Sequence, residues 1–396
     1  MKTDWGRLRI GTLAVPRLGG NYRNGPDSTA RPLIKMGNIA RVGIDLNRIE
    51  YIPDTDSVDP VHRLNFGDVL FNTRNTLDLV GKVSIWRDEL PTAYYNSNIL
   101  RLELRPEYCG SSEYFGYALN SKESIEAIRA LATGTTSVAA VYTRDLLKLS
   151  VPVPSKQEQR AIAEALGDVD RLISALHRLI AKKQAIKQGM TQQLLTGRTR
   201  LPGFAESWEH QRLGNVLGFQ AGYPFRSAQF SKSALGPRLV RNRDLKSDDS
   251  VIYYLGEYHA NYILRDGDVL VGMDGDFTQC IWRGGDALLN QRIGRLLCKH
   301  SDPIFMYYAL QGPLKVLEGG TGATTVKHLS HGDVEAIEMA LPNIDEQRAI
   351  GSVLADADAD LCVVFRRLEK ARATKRGMMQ ELLTGRTRLP VAEAAL

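Results

Sequence analysis

The sequence predicts a mixed α/β fold. Two pseudo-symmetric α/β domains are separated by two long helices that pair as an antiparallel coiled coil. Three observations carry this expectation. A 49-residue block occurs twice without gaps. Each copy carries a heptad-spaced apolar seam. A segment with short strand signals precedes each copy, and the two segments echo one another.

The block runs from Pro154 to Pro202 and again from Pro342 to Pro390, at a constant shift of 188. Its two copies share 25 of 49 residues. The ends match best: Glu158-Gln159-Arg160-Ala161-Ile162 with Glu346-Gln347-Arg348-Ala349-Ile350, and Leu194 to Pro202 with Leu382 to Pro390. Fainter echoes precede the blocks. Trp5, Arg9 and Gly11 match Trp208, Arg212 and Gly214. Gly67-Asp68-Val69-Leu70 matches Gly267-Asp268-Val269-Leu270. Asn96, Arg101 and Leu102 match Asn290, Arg295 and Leu296, and Thr133, Gly134 and Thr136 match Thr321, Gly322 and Thr324. Self-similarity at this period means one ancestral unit used twice. The expected segments are 1–153 and 203–341 for the globular copies, 154–202 for a central long helix, and 342–396 for a distal long helix and tail.

In order along the chain, Val69–Phe71, Val80–Ile85, Ile99–Leu104 and Ile263–Leu264 read as strands. Tyr114–Leu131 and Pro303–Leu317 read as helices. Ser155 and Glu158 fit a capping box at the head of the first long helix, and Asn343 with Glu346 repeats that signal. Apolar residues then recur at Ile162, Leu166, Val169, Ile173, Leu176 and Ile180. The second copy has Ile350, Leu354, Ala357, Leu361, Val364 and Leu368. Alternating steps of four and three make an a/d seam. Gly197 and Gly385 read as C-caps, with Pro202 and Pro390 soon after. Gly189 and Gly377 mark a place where each helix could bend. A helix of this length needs a partner for its seam, and the other copy has the matching spacing. Packing of each helix on its own globe is the alternative.

Composition bounds the function. The 396 residues are 43% hydrophobic and 24% charged, which is ordinary for globular protein. There is no apolar run of membrane-spanning length, and the first residues, Met1 to Arg7, lack a signal-peptide core. The four cysteines form no CxxC pair, so a zinc knuckle or redox dithiol is not expected. A reducing cytoplasm is the expected compartment. Net charge is +6, which permits nucleic-acid binding without requiring it. The excess lies mainly in 154–202, with nine basic and four acidic residues.

No phosphate loop, GxSxG, HExxH or deaminase signature occurs, nor a methyl-donor fingerprint with NPPY or DPPY. Glu318 to Thr325 is Gly-rich but lacks the lysine. His177, His300 and His331 stand alone. This balance favours a binding protein over an enzyme. Polar loops supply groups suited to base edges and phosphates. The first globe offers Asn72, Thr73, Arg74 and Asn75, then Asn96 and Asn98. The second offers Asp274 and Asp276, then Asn290, Gln291 and Arg292. Arg can grip guanine, Asn or Gln adenine, and Asp can accept from cytosine. Taken singly, each such Asn is more often a turn residue. Asp274 and Asp276 could instead hold a metal, but no third ligand is spaced to complete that site.

The repeated blocks, above all Glu-Gln-Arg-Ala-Ile and Gln-(Gln/Glu)-Leu-Leu-Thr-Gly, resemble the central and distal conserved helices of the specificity subunit of type I restriction-modification systems. Leu70 to Thr76 with Leu79 to Lys82, and Gly267 to Asp276 with Leu289 to Arg292, resemble its target-recognition motifs. The resemblance spans essentially the whole chain. It implies a non-catalytic, double-stranded-DNA-binding subunit with two target-recognition domains. Each would read one half of a bipartite target, while the helices set the gap. It also implies two methyltransferase subunits, which bring S-adenosylmethionine, and, where they exist, ATP-dependent restriction subunits. No cofactor is expected in this chain. Arg241 and Arg243 are added as phosphate-contact candidates. Arg178, Lys182, Lys183 and Lys187 are candidates for partner or DNA-backbone contact, or equally solubilising charge. A protein-binding scaffold, an enzyme with an unrecognised nuclease or methyltransferase site, and a form that assembles without restriction subunits remain as other readings.

Overall fold

The computed structural model describes residues 5–25, 31–41, 43–135, 137–320 and 328–390. Thr321, Gly322, Thr324, Thr325 and Thr136 of the expected repeat lie outside the described residues, as do Met1 to Asp4. The chain divides into two compact units: 1–177 with 367–396, and 178–366. These units cut across the four expected segments. Each unit contains one globe, half of one long helix and half of the other.

In the first unit, Gly6–Arg9 pairs antiparallel with Ser150–Val153 and closes the globe. A four-stranded antiparallel sheet follows, in the order Ala14–Leu18, Ile99–Leu104, Val69–Asn72, Val83–Ile85. Period-two alternation sends Val69 and Phe71 into one apolar cluster and Leu70 into another. The strand is therefore buried on both faces, which explains its unbroken apolar run. A second small sheet sets Pro32–Ile34 parallel to Tyr94–Tyr95. The expected strand over Val80–Ile85 is shorter than read, Val83–Ile85, because Val80 and Gly81 turn back on Thr76 and Asn72.

The second unit repeats the plan. Glu209–Arg212 pairs with Glu338–Leu341. The four-stranded sheet runs Leu217–Ala221, Ile293–Cys298, Val269–Gly272, Gln279–Ile281. Val269 and Val271 again face one cluster and Leu270 the other. Arg238–Val240 again runs parallel to a neighbour, Ala287–Leu289.

The expected helix Tyr114–Leu131 is two helices, Ser112–Leu119 and Lys122–Leu131. The break falls at Asn120-Ser121, where the Ser121 hydroxyl caps the second helix by accepting from the Ser124 amide. Pro303–Leu317 likewise divides into Pro303–Ala309 and Gln311–Gly320.

The long helices run Lys156–Leu194 and Ile344–Leu382, without a break at Gly189 or Gly377. Each has 39 residues, or about 58 Å at 1.5 Å per residue. The capping box holds at the first, where Ser155 accepts from the Glu158 amide and Glu158 accepts from the Ser155 amide. At the second, Asn343 caps Glu346, but the Glu346 carboxylate turns elsewhere. Both helices end as expected: Gly197 and Gly385 take φ of 65° and 68°, the left-handed C-cap conformation.

Within the first unit, Glu158, Asp170 and His177 meet Arg388, Lys375 and Arg372 in turn. Within the second, Lys183, Lys187 and Arg200 meet Asp360, Asp358 and Glu346. Partner numbers fall as the residue's own number rises, so the paired stretches are antiparallel. Of the seam residues, Leu176, Ile180, Leu361, Val364 and Leu368 are buried, while Val169, Ile173 and Ala357 are half-buried. Packing on the globe, the competing expectation, also occurs. Ile162 and Leu166 join the first globe's core together with Leu382 and Leu383, and Ile350 and Leu354 join the second. The first seam residues of each helix thus pack on a globe, while the buried later ones lie outside those two cores.

Candidate nucleic-acid interface

The candidate residues gather where strands of the four-stranded sheets end. In the first globe, Asn72 is fully buried and its carbonyl side-chain oxygen accepts from the Arg74 amide. The Thr73 hydroxyl donates to the Asn98 carbonyl at 2.8 Å, which ties the two candidate loops together. Asn96 is 9% exposed, and its side chain accepts from the Asn98 amide. Asn75 accepts from the Thr76 amide. These are turn-forming roles, as the general odds for loop Asn suggest. Arg74 is exposed, and its side chain makes no hydrogen bond or ion pair among the described residues, nor does that of Asn98. The structure therefore brings the six residues together but divides them. Four shape the loops, while the side chains of Arg74, exposed, and Asn98, half-buried, have no partner among the described residues.

The second globe shows the same division. Asp274 is held between Arg292 and His328, whose Nδ1 lies 2.8 Å from its Oδ1. Asp276 pairs with Lys246 and accepts from Thr278. The Lys246 ammonium holds the Asp276 carboxyl below the usual carboxylate range. Arg241 is taken up by both Asp244 oxygens at 3.0 Å and by the Ser250 carbonyl. That guanidinium braces its own loop. Arg243, two residues on, is exposed and unpaired among the described residues. Asn290 is 8% exposed, and Gln291 is exposed with no side-chain partner among the described residues. Among the described residues no group of three or more His, Cys, Asp or Glu is placed to hold a metal ion.

Each globe also holds an ion pair that the sequence left without a role, on a buried arginine in the first globe and a half-buried one in the second. Arg101 donates to Asp68 at 3.3 Å and to the Arg63 carbonyl at 2.9 Å. Arg295 donates to Asp268 at 3.0 Å and to the Ile263 carbonyl at 2.8 Å. Asp68 and Asp268 each accept a backbone amide three residues earlier, from Asn65 and Arg265. The echoes Gly67-Asp68 with Gly267-Asp268 and Arg101 with Arg295 were the available signal.

The helix-face candidates also divide. Arg178 and Lys182 are exposed and unpaired among the described residues. Lys183 meets Asp360 at 2.8 Å. Lys187 is not an open surface charge. It pairs with Asp358 and lies 5.5 Å above the Tyr308 ring, and the Tyr308 hydroxyl donates to the same carboxylate at 2.7 Å. His177, read as isolated, meets Arg372 at 3.1 Å. At the helix ends, Glu346 is fully buried and accepts from Arg200 at 2.6 Å and from the Trp208 indole at 3.2 Å. In the first unit, Arg388 stacks over Trp5 and reaches Glu158 at 3.6 Å.

The family model described as "Type I restriction modification DNA specificity domain" matches twice, over residues 42–188 and 205–363. The chain belongs to the type I restriction-modification DNA specificity family. Each match takes in most of a globe and the first part of the long helix that follows it, so the duplication read from the sequence is the family domain used twice. Over 401 residues the chain is 26% identical to a protein assigned as the MjaX specificity subunit of a type I restriction enzyme in Methanocaldococcus jannaschii, covering 95% of this chain and 92% of that one. It is 31% identical over 187 residues to the type I restriction enzyme EcoBI specificity subunit of Escherichia coli, covering 46% and 40%. The fold is also that of the S subunit of a type I restriction-modification system from M. genitalium, with a TM-score of 0.65 at 16% identity over 96% of both chains. No described helix is long and apolar enough to cross a membrane.

Proposed function

We propose that this specificity-family chain is the non-catalytic DNA-reading subunit of a type I restriction-modification complex. Each globe reads one half of a bipartite target in double-stranded DNA, and the long helices set the unread gap. Two methyltransferase subunits dock on the chain and bring S-adenosylmethionine. ATP-dependent restriction subunits join through them where they exist. Work on chromosomal DNA places the protein in the cytoplasm. The chain itself needs no cofactor.

One observation carries this reading: the family domain occurs twice, and each copy continues into an unbroken 39-residue helix. A divided reader with a stiff connection suits a target with a fixed spacing. Arg74 in the first globe, and Arg243 and Gln291 in the second, are the contacts favoured by exposure and lack of an internal partner, with half-buried Asn98 favoured by the lack of a partner alone. Asp274, Asp276 and Arg292 can read bases only by exchanging their present ion pairs, and Arg241 positions its loop.

The test is methylation sequencing of DNA from cells that express the chain with its methyltransferase subunits. A split motif with an unspecified middle supports the reading. A continuous motif, or no motif, contradicts it. The purified chain alone, given S-adenosylmethionine and plasmid, should transfer no methyl group. Its DNA affinity should fall steeply with salt as counterions are released, whereas a protein-binding scaffold would show no such dependence.

A further inference from the structure

A three-residue cluster occurs once in each unit with nearly the same geometry. In the first unit the Tyr117 hydroxyl donates to Asp170 at 2.7 Å, and Lys375 meets the other oxygen of that carboxylate at 2.6 Å. The Lys375 ammonium lies 5.5 Å above the Tyr117 ring. In the second unit Tyr308 donates to Asp358 at 2.7 Å, Lys187 meets its other oxygen, and Lys187 lies 5.5 Å above the Tyr308 ring. Each cluster joins three separate pieces of chain: a helix of the globe, the long helix that follows that globe, and the long helix of the other copy. Burial comes first, and the bond to aspartate second, in pushing both tyrosine hydroxyls far above their usual range, so both stay protonated donors.

Much of the rest of the joint between globe and long helices is apolar, through residues such as Ile162, Leu166 and Leu383 in the first unit, with a glutamine tie at the head of each helix, where Gln159 bonds to Gly110 and Tyr108 and Gln347 accepts from the Asp302 amide. Apolar burial is non-directional and tolerates sliding. A charge-assisted hydrogen bond fixes distance and angle. At the helix ends Arg200 with Glu346 is matched by Arg388 with Glu158, but the other mid-helix ties differ between the copies. Lys183 with Asp360 has no counterpart, since the equivalent residues are Ala371 and Leu172. The Tyr–Asp–Lys cluster is kept in both.

We infer that these clusters are positioning devices: Tyr117, Asp170 and Lys375, and Tyr308, Asp358 and Lys187, lock the tilt of each globe on the helices and thereby set how strictly the gap length is read. The inference rests on the proposed function. Loss of a cluster leaves only the ties at the helix head, about which the globe can rock on its apolar contacts, so a half-site displaced by one base pair becomes reachable.

The test uses the chain in complex with its methyltransferase subunits. The split motif found by methylation sequencing is synthesised with its native gap and with the gap one base pair shorter or longer. Methylation rate is compared for the wild type, for Tyr117→Phe with Tyr308→Phe, and for His177→Ala as a control that removes a helix tie outside the clusters. The double variant loses only two hydroxyls, and its folding is checked by thermal denaturation. The expected result is that its preference for the native gap falls about fivefold or more while both half-sites are unchanged, and that His177→Ala keeps the wild-type preference. A folded double variant that discriminates as sharply as the wild type overturns the positioning role alone. An equal loss in His177→Ala overturns it too, because any loosening would then suffice. A wild-type complex indifferent to gap length overturns the proposed function, and the positioning role with it.

Discussion

Arg101 is 5% exposed, yet it carries a full charge into the first globe. It is tolerated because Asp68, Glu103 and the Arg63 carbonyl all receive it. Burial nevertheless outweighs the arginine at Asp68, whose carboxyl is pushed up, not down. Arg101→Ala strands that carboxylate. It should cost about 3–5 kcal/mol, as for other broken buried pairs, read from chemical denaturation. Arg295→Ala should cost less, because Arg295 and Asp268 are both more exposed. Glu103 behaves in the opposite way. Its bond to Arg17, helped by Arg101, holds its carboxyl below the usual range. A depressed folded-state pKa adds stability above the unfolded value and loses it as pH falls through the folded one. Glu103→Gln should therefore destabilise at neutral pH, and the difference from wild type should close below about pH 4. At the reading loops, Arg74→Ala is expected to weaken DNA binding. If Arg74 touches a base, one position relaxes at a cost of about 1–3 kcal/mol. If it touches phosphate, all sequences weaken alike.

At the scale of elements, the long helices were the most legible part of the sequence. Their seam, first capping box and glycine C-caps are local signals, and local signals survive folding. Gly197→Ala or Gly385→Ala should cost about 1 kcal/mol, because each glycine sits at positive φ. Leu354→Ala, at a fully buried seam position in the second core, should cost about 2–5 kcal/mol. The globes were legible only in fragments. Val69–Phe71 was readable because a strand buried on both faces is a run of apolar residues. The parallel pairing of Pro32–Ile34 with Tyr94–Tyr95 was not, since about 60 residues separate partners that are only two or three residues long. The site was mixed in the same way. Composition pointed to these loops, but it could not tell exposed Arg74 from Arg241. That distinction depends on whether an acidic neighbour such as Asp244 has already taken the guanidinium. Lys187 looked like surface charge for a similar reason: its partners Asp358 and Tyr308 lie more than 100 residues away.

For the whole molecule, the duplication is the organising fact. Each unit draws on both copies of the repeated block, so neither globe is assembled from one contiguous half of the chain. Truncation after Pro202 would remove Leu382 and Leu383 from the first core and Lys375 from its cluster. Replacing only residues 1–153 with another globe of the family keeps those helix contributions, and it should change one half of the methylated motif and leave the other intact. The gap should belong to the helices alone. The most direct measurement is to insert one heptad into both long helices at equivalent seam positions, which preserves the a/d register, and to sequence the methylated motif. Seven residues add about 10 Å, or roughly three base pairs at 3.4 Å each. The account predicts both half-sites unchanged and a wider gap. An unaltered gap with altered half-sites would contradict it.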